Sequence, residues 1–249
     1  QVPHYAMPFP ILDAQTDHIT RKMFDLPYAT LSPTQKLDIY WPAEGNGPFP
    51  VIMSIHGGAF MGGDKRDIQL MPMLEATQRG YAVVSINYRM SGEATFPALV
   101  QDVKAAIRWV RAQAKPYLFD PGRIATWGGS AGGYLSLMAG VSAGILELED
   151  LALGNASQPC HVQAVVDWFG PTDFLLMDAQ LAESGMAPAA EQAHSGPDSP
   201  ESLLLGQKIT EVPDLVRIAN PETYIRPGLP PFFIQHGDHD DTVPHQQSV

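Results

Sequence analysis

Short apolar runs and stretches of helical periodicity alternate along most of the chain. Val51–Ile55, Tyr81–Tyr88, Ile124–Trp127, Val162–Phe169 and Phe232–Gln235 are continuous apolar runs of strand length, as expected for strands buried in the middle of a sheet. Ile19–Tyr28 and Lys36–Trp41 instead alternate apolar and polar residues. They read as paired strands, with Ser32-Pro33-Thr34 as the turn between them. Helices are predicted between the buried runs. One spans Ile68–Arg79 and is closed by Gly80. A second opens at Pro97, and its apolar positions Leu99, Val103, Ala106, Ile107 and Val110 share one face. A third follows Ser130, with Tyr134, Leu135, Leu137 and Met138 at helical spacing. Strands alternating with helices predict a mostly parallel sheet with helices on both faces, an α/β fold. The first eighteen residues read as an irregular arm. Between Gly170 and Pro231 lie 62 residues, far more than a crossover needs, with an Ala/Pro/Ser-rich piece at Glu183–Ser202. The expectation is therefore a single domain over 1–249, with residues 171–231 inserted as a cap or lid.

Composition narrows the partners. The 249 residues carry a net charge of −12, which argues against nucleic acid or an anionic membrane surface and fits a neutral or weakly charged small molecule. Cys160 is the single cysteine, so no intramolecular disulfide can form. No apolar run approaches the ~20 residues that span a bilayer. Gln1–Gln15 lack a basic leader and contain Pro3, Pro8 and Pro10, unlike a signal peptide. Neither pattern specifies a compartment. No Cys/His set has metal spacing and no dinucleotide fingerprint is present, so no cofactor is expected.

The chemistry concentrates at three strand ends. The run Ile124–Trp127 leads into Gly128-Gly129-Ser130-Ala131-Gly132-Gly133 and then a helix. A strand that turns into a helix within so few residues strains the residue at the apex and requires small neighbours. Ser130 stands at that apex, near a helix N-terminus that favours developing negative charge. His56-Gly57-Gly58-Ala59 follows the Val51 strand. Its bare N–H groups at Gly57 and Gly58, together with that of Ala131, form a candidate oxyanion hole. The Phe232 strand ends in His236-Gly237-Asp238-His239-Asp240-Asp241. A serine nucleophile needs a histidine base oriented by a carboxylate. Asp240 is the preferred carboxylate because it lies a few residues past the strand end. Asp238 is the alternative, although in the turn it can also bond the local backbone.

With these residues in view, the chain resembles an α/β-hydrolase of the carboxylesterase type. It is most similar to small bacterial feruloyl and acetyl-xylan esterases and more distantly to hormone-sensitive-lipase-like enzymes. The resemblance runs from Ile19 through most of the chain. It rests on His56-Gly57-Gly58-Ala59-Phe60, Asn87-Tyr88-Arg89, Asp102-Val103-Lys104, Asp120-Pro121-Gly122-Arg123, the Ser130 turn, Phe169-Gly170-Pro171-Thr172-Asp173, Asn220-Pro221 and His236-Gly237-Asp238-His239-Asp240. It implies a serine carboxylic-ester hydrolase acting on small or plant-derived acetyl, feruloyl or aryl esters through an acyl-enzyme. Ser130 would be the nucleophile and Asp240 the triad acid. The family's triad histidine follows the acid by a few tens of residues. His4, His18, His56, His161, His194, His236, His239 and His245 do not fit that position, so the triad histidine is expected beyond Val249, in a C-terminal helix and loop absent from the given chain. Two other readings stay open: a serine peptidase of prolyl-oligopeptidase type, and a small-molecule binding protein on an inactive hydrolase scaffold.

Overall fold

The structure, a computed structural model, describes residues 12–249. The expected arm therefore lies largely outside the described residues. Seven strands form one sheet: β1 (Lys22–Pro27), β2 (Lys36–Tyr40), β3 (Phe49–Ile55), β4 (Ala82–Ile86), β5 (Phe119–Gly129), β6 (Ala164–Trp168) and β7 (Phe232–Gln235). Their spatial order is β1-β2-β4-β3-β5-β6-β7. β1, β2 and β4 pair antiparallel, and β4, β3, β5, β6 and β7 run parallel.

Alternation along the strands divides the core between the two faces of the sheet. Val51, Met53, Ile55, Val84 and Ile86 join the larger core with α2 (Ala98–Ala112) and α4 (Ala131–Val141). Val83 and Tyr40, backed by Ile52 and Trp127, pack on the other face under the segment 68–79. That segment, expected as one helix, is a 3₁₀ turn, then α1 (Met71–Leu74), then a second 3₁₀ stretch that ends at Gly80 with φ +83°. Pro72 supplies no N–H to a ladder from the preceding turn, so it restarts the helix. α2 was expected to bury one face but is buried almost all round. The segment 142–161 covers its outer side. Lys104 donates to Ser142 O, Arg108 binds Glu149, Asp150 O and Gly154 O, and Arg111 binds Pro159 O and His161 O. A one-turn helix, α3 (Ala114–Tyr117), leads into β5.

Between β6 and β7 the stretch 171–231 holds α5 (Met177–Glu183), α6 (Pro200–Leu205) and α7 (Pro213–Ala219). β7 corrects one expectation. It is a strand, and among the described residues it pairs with β6 alone, with Phe233 and Ile234 exposed. Among the described residues no helix is long and apolar enough to cross a membrane.

The parallel register brings four strand ends to one place. Ile55 pairs with Gly128, Gly129 with Trp168, and Trp168 with Gln235. His56, Ser130, Phe169 and His236 therefore leave the sheet side by side, at its carboxyl edge, where open α/β sheets bind ligands.

Candidate active site

Ser130 alone separates β5 from α4, with φ +54° and ψ −121°. A non-glycine residue held there costs on the order of 1–3 kcal/mol and persists only when its surroundings force it. The surroundings here are backbone. A Cβ on Gly132 would strike Ile55 O and lie 2.8 Å from His56 O, and one on Gly128 would strike the Gly132 carbonyl. The helix thus rests directly on the strands, and Ser130 is left half-buried at the apex. Its N–H donates to Trp168 O at 2.8 Å, and its carbonyl accepts from Tyr134 N–H at 2.9 Å. Phe169, at φ +46°, lays its ring against Gly129; a Cβ there would come within 3.1 Å of the ring.

Beneath the turn lies Asp167, buried on β6, with a carboxyl oxygen near Gly133 and accepting from Gly170 N–H at 3.0 Å. Burial pushes its carboxyl up to about 6, against the pull of the Gly170 N–H and of His236. A lone acid inside the apolar run Val162–Phe169 was its only sign in the sequence.

The His56 loop lies against the serine turn: a Cβ on Gly57 would be 3.3 Å from Ser130 Cβ. Gly58, Ala59 and Phe60 all have positive φ, at +127°, +53° and +63°. His56 is buried, stacks on Tyr88 with ring centroids 4.6 Å apart, and donates from Nδ1 to Gly57 O at 2.8 Å. That carbonyl can only accept, which assigns the Nδ1–H tautomer. Burial holds the imidazole below its ordinary value, so it stays neutral. Of the three expected oxyanion donors, Gly57 N–H is already engaged: it donates to Gln69 Oε1 at 2.8 Å. Among the described residues, the N–H groups of Gly58 and Ala131 have no protein acceptor. Nothing local in the sequence marks Gln69, which reaches back from the segment 68–79.

Past β7, the three acids separate. Asp238 is exposed and pairs only with its neighbour His239, at 2.7 Å. Asp241 contacts the hydroxyl of Thr242 at 3.3 Å. Asp240 is mostly enclosed and accepts the N–H groups of Thr242 and Val243, both at 2.9 Å, while its other oxygen lies 3.4 Å from His236 Nε2. Burial pushes its carboxyl up, but His236 and the two N–H groups outweigh that and hold it below the ordinary carboxylate value.

Among the described residues no histidine nitrogen lies within hydrogen-bonding distance of Ser130 Oγ. His236 bonds Val243 O at 2.8 Å and Ser248 Oγ at 2.7 Å. His245 starts a 3₁₀ turn, with its ring centroid 5.7 Å from that of His236. His194, between α5 and α6, donates from Nε2 to Thr242 O at 2.9 Å, with Nδ1 3.1 Å from Glu201. That contact ties the segment between β6 and β7 to the loop carrying Asp240. Sequence reading did not anticipate it.

The BD-FAE family model matches residues 37–249. Esterase LipQ of Mycobacterium tuberculosis is 33% identical over 99% of this chain and 54% of its own length. Probable carboxylic ester hydrolase LipM of the same organism is 34% identical over 90% of this chain and 49% of its own length. The chain thus spans about half the length of these curated relatives. Among solved structures, a truncated form of a carbohydrate esterase from gut microbiota is 35% identical with TM-score 0.82, covering 95% of this chain and 83% of that one. A bifunctional GH43-CE protein of Bacteroides eggerthii is 35% identical with TM-score 0.81, covering 91% of this chain and 29% of that one.

Proposed function

The chain belongs to the BD-FAE family and has the α/β-hydrolase fold, and on that premise we propose that it is a carboxylic-ester hydrolase working through a serine acyl-enzyme. The observation that carries the reading is Ser130 alone in a strained strand-to-helix turn, with free N–H groups beside it. Ser130 Oγ attacks the ester carbonyl carbon and passes its proton to a histidine base. The carbonyl oxygen takes up the negative charge and is met by the N–H groups of the His56 loop and of Ala131. Collapse breaks the bond to the alcohol oxygen, which leaves with that proton. Water, deprotonated by the same histidine, then releases the acid. Asp240 orients the histidine, which this reading places past Val249. The insertion over 171–231 serves as the cap that shapes the pocket. Small acetyl, feruloyl or aryl esters are the proposed substrates. The likeness to a structure named as a carbohydrate esterase supports a sugar-linked ester, and the exposed Phe169 ring beside the turn suits an aromatic group.

One observation favours a second reading, a small-molecule binder on an inactive scaffold: no described histidine meets Ser130. Intact mass measured before and after a fluorophosphonate probe separates the two, using protein from the complete open reading frame. A single adduct, absent in Ser130→Ala, is expected of the hydrolase. No adduct would leave the binding reading.

A further inference from the structure

We propose that Gln69 is a positioning residue of the oxyanion loop: it removes Gly57 N–H from the reaction and, with His56, aims Gly58 N–H at the substrate oxygen. The proposal rests on the ester-hydrolase reading above.

Gly57 has no side chain to restrain its two soft backbone angles. Two side chains restrain them instead. The peptide before Gly57 is held at its N–H by Gln69 Oε1, at 2.8 Å. The peptide after it is held at its carbonyl by His56 Nδ1, also at 2.8 Å. In a planar trans peptide the C=O and N–H point in opposite directions. Holding Gly57 O against His56 therefore turns Gly58 N–H the opposite way, and that group has no protein acceptor among the described residues. With both planes held, Gly57 cannot swing, and the donor is oriented before any substrate arrives. Such preorganisation is what makes an oxyanion donor effective.

Gln69 is itself held firmly, although the residue is exposed. Its Nε2 donates to Asp67 Oδ2 at 2.9 Å, and its backbone N–H donates to Asp67 Oδ1 at 2.9 Å. These partners also assign the amide: flipped, it would set its oxygen against a carboxylate and its NH₂ against an N–H. Asp67 is buried and also takes Asp64 N–H at 3.3 Å. Asp64 in turn accepts from Asn87 Nδ2 at 2.9 Å, and Asn87 Oδ1 accepts from Lys65 N–H at 2.7 Å. Lys65 Nζ bridges Asp25 at 2.8 Å and Asp38 at 3.4 Å. A continuous set of polar contacts thus links β1 and β2 to a single backbone N–H beside Ser130.

The test needs a readout on the backbone as well as on turnover. Gly57 amide exchange would be followed by NMR in ¹⁵N-glycine-labelled protein, beside ester kinetics, for wild type, Gln69→Ala and Gln69→Glu. Gln69→Ala is expected to speed Gly57 exchange at least tenfold and to lower kcat about 10- to 100-fold, with KM within twofold. In Gln69→Glu an ionised carboxylate faces Asp67 and Asp64, with His56 neutral nearby. Protonated, it regains the amide's pattern: O–H to Asp67 and C=O from Gly57 N–H. Its activity relative to wild type should therefore rise as pH falls, which a merely structural role would not produce. Unchanged Gly57 exchange in Gln69→Ala would overturn the proposal. So would freed exchange with full or raised kcat, which would make Gln69 a latch that substrate displaces. A wild type made from the complete open reading frame, as above, but without esterase activity would sink the hydrolase reading alone, since exchange still decides whether Gln69 restrains Gly57.

Discussion

Ser130 and Asp240 both stand just past the carboxyl ends of parallel strands, yet they are held by different forces. β5 has a strand on either side, and its turn is set by backbone pressed on backbone at Gly128 and Gly132. Among the described residues β7 pairs with β6 alone, and Asp240 is set by hydrogen bonds from Thr242, Val243 and His236 in a surface loop. Close packing allows almost no alternative conformation, and a one-carbon intrusion is felt at once. A hydrogen-bonded loop exchanges its partners with water at little net loss. The serine side should therefore break under small steric changes, and the acid side should respond mainly to loss of its bonds and to pH.

The largest effect tests the serine itself. Ser130→Ala should lower kcat by about 10⁴- to 10⁶-fold while leaving the fold intact. Ser130→Gly should be as inactive but more stable than the alanine variant by about 1 kcal/mol, because glycine adopts this backbone without strain. Denaturant unfolding of the pair measures that strain. The sharpest contrast between the two sides comes next. Gly132→Ala should cost about 4 kcal/mol or more, or prevent folding, as its Cβ meets Ile55 O. Asp240→Ala should cost only about 1 kcal/mol of stability while still removing most of the activity. Similar stability losses at the two positions would end the comparison.

Asp167 gives a pH-dependent prediction. Its carboxyl titrates near about 6 in the folded chain against 3.8 ordinarily, so the folded state binds the extra proton between those values. This contribution is fully present below about pH 4 and lost as pH rises through about 6. Asp167→Asn keeps an acceptor for Gly170 N–H and carries no charge. It should be more stable than wild type by roughly 3 kcal/mol at pH 7, and the gain should vanish towards pH 4. Unfolding at the two pH values checks this.

The smallest effect concerns His194, where the segment between α5 and α6 meets the Asp240 loop. Burial pushes its imidazole down, but Glu201, Thr242 O and Asp178 together hold it above 6.5. A histidine raised on folding contributes stability below its unfolded value and loses it as pH climbs through the folded one. Limited proteolysis between Gly185 and Ser199 should therefore quicken at alkaline pH. Relative to a substrate-peptide control, His194→Gln should show no such change.

Much of the fold was legible because its signals are local. The apolar runs located the five parallel strands, and small residues around Ser130 marked the strand-to-helix turn. Helix 68–79 was misjudged by a residue inside it, Pro72, whose missing N–H breaks the ladder.

The candidate site divides in the same way. Sequence alone determined the residue types at the strand ends: a serine among glycines, two glycines after His56, and three acids after His236. Tertiary structure decided which groups are free to act. Gly57 N–H is taken by a side chain twelve positions away, Asp240 rather than Asp238 faces His236, and His194 from the stretch before β7 holds Thr242. The reason is one of range. Backbone sterics and helical periodicity act over a few neighbouring residues and leave a pattern in the chain. Hydrogen bonds between separate elements depend on distances that exist only once the sheet has assembled.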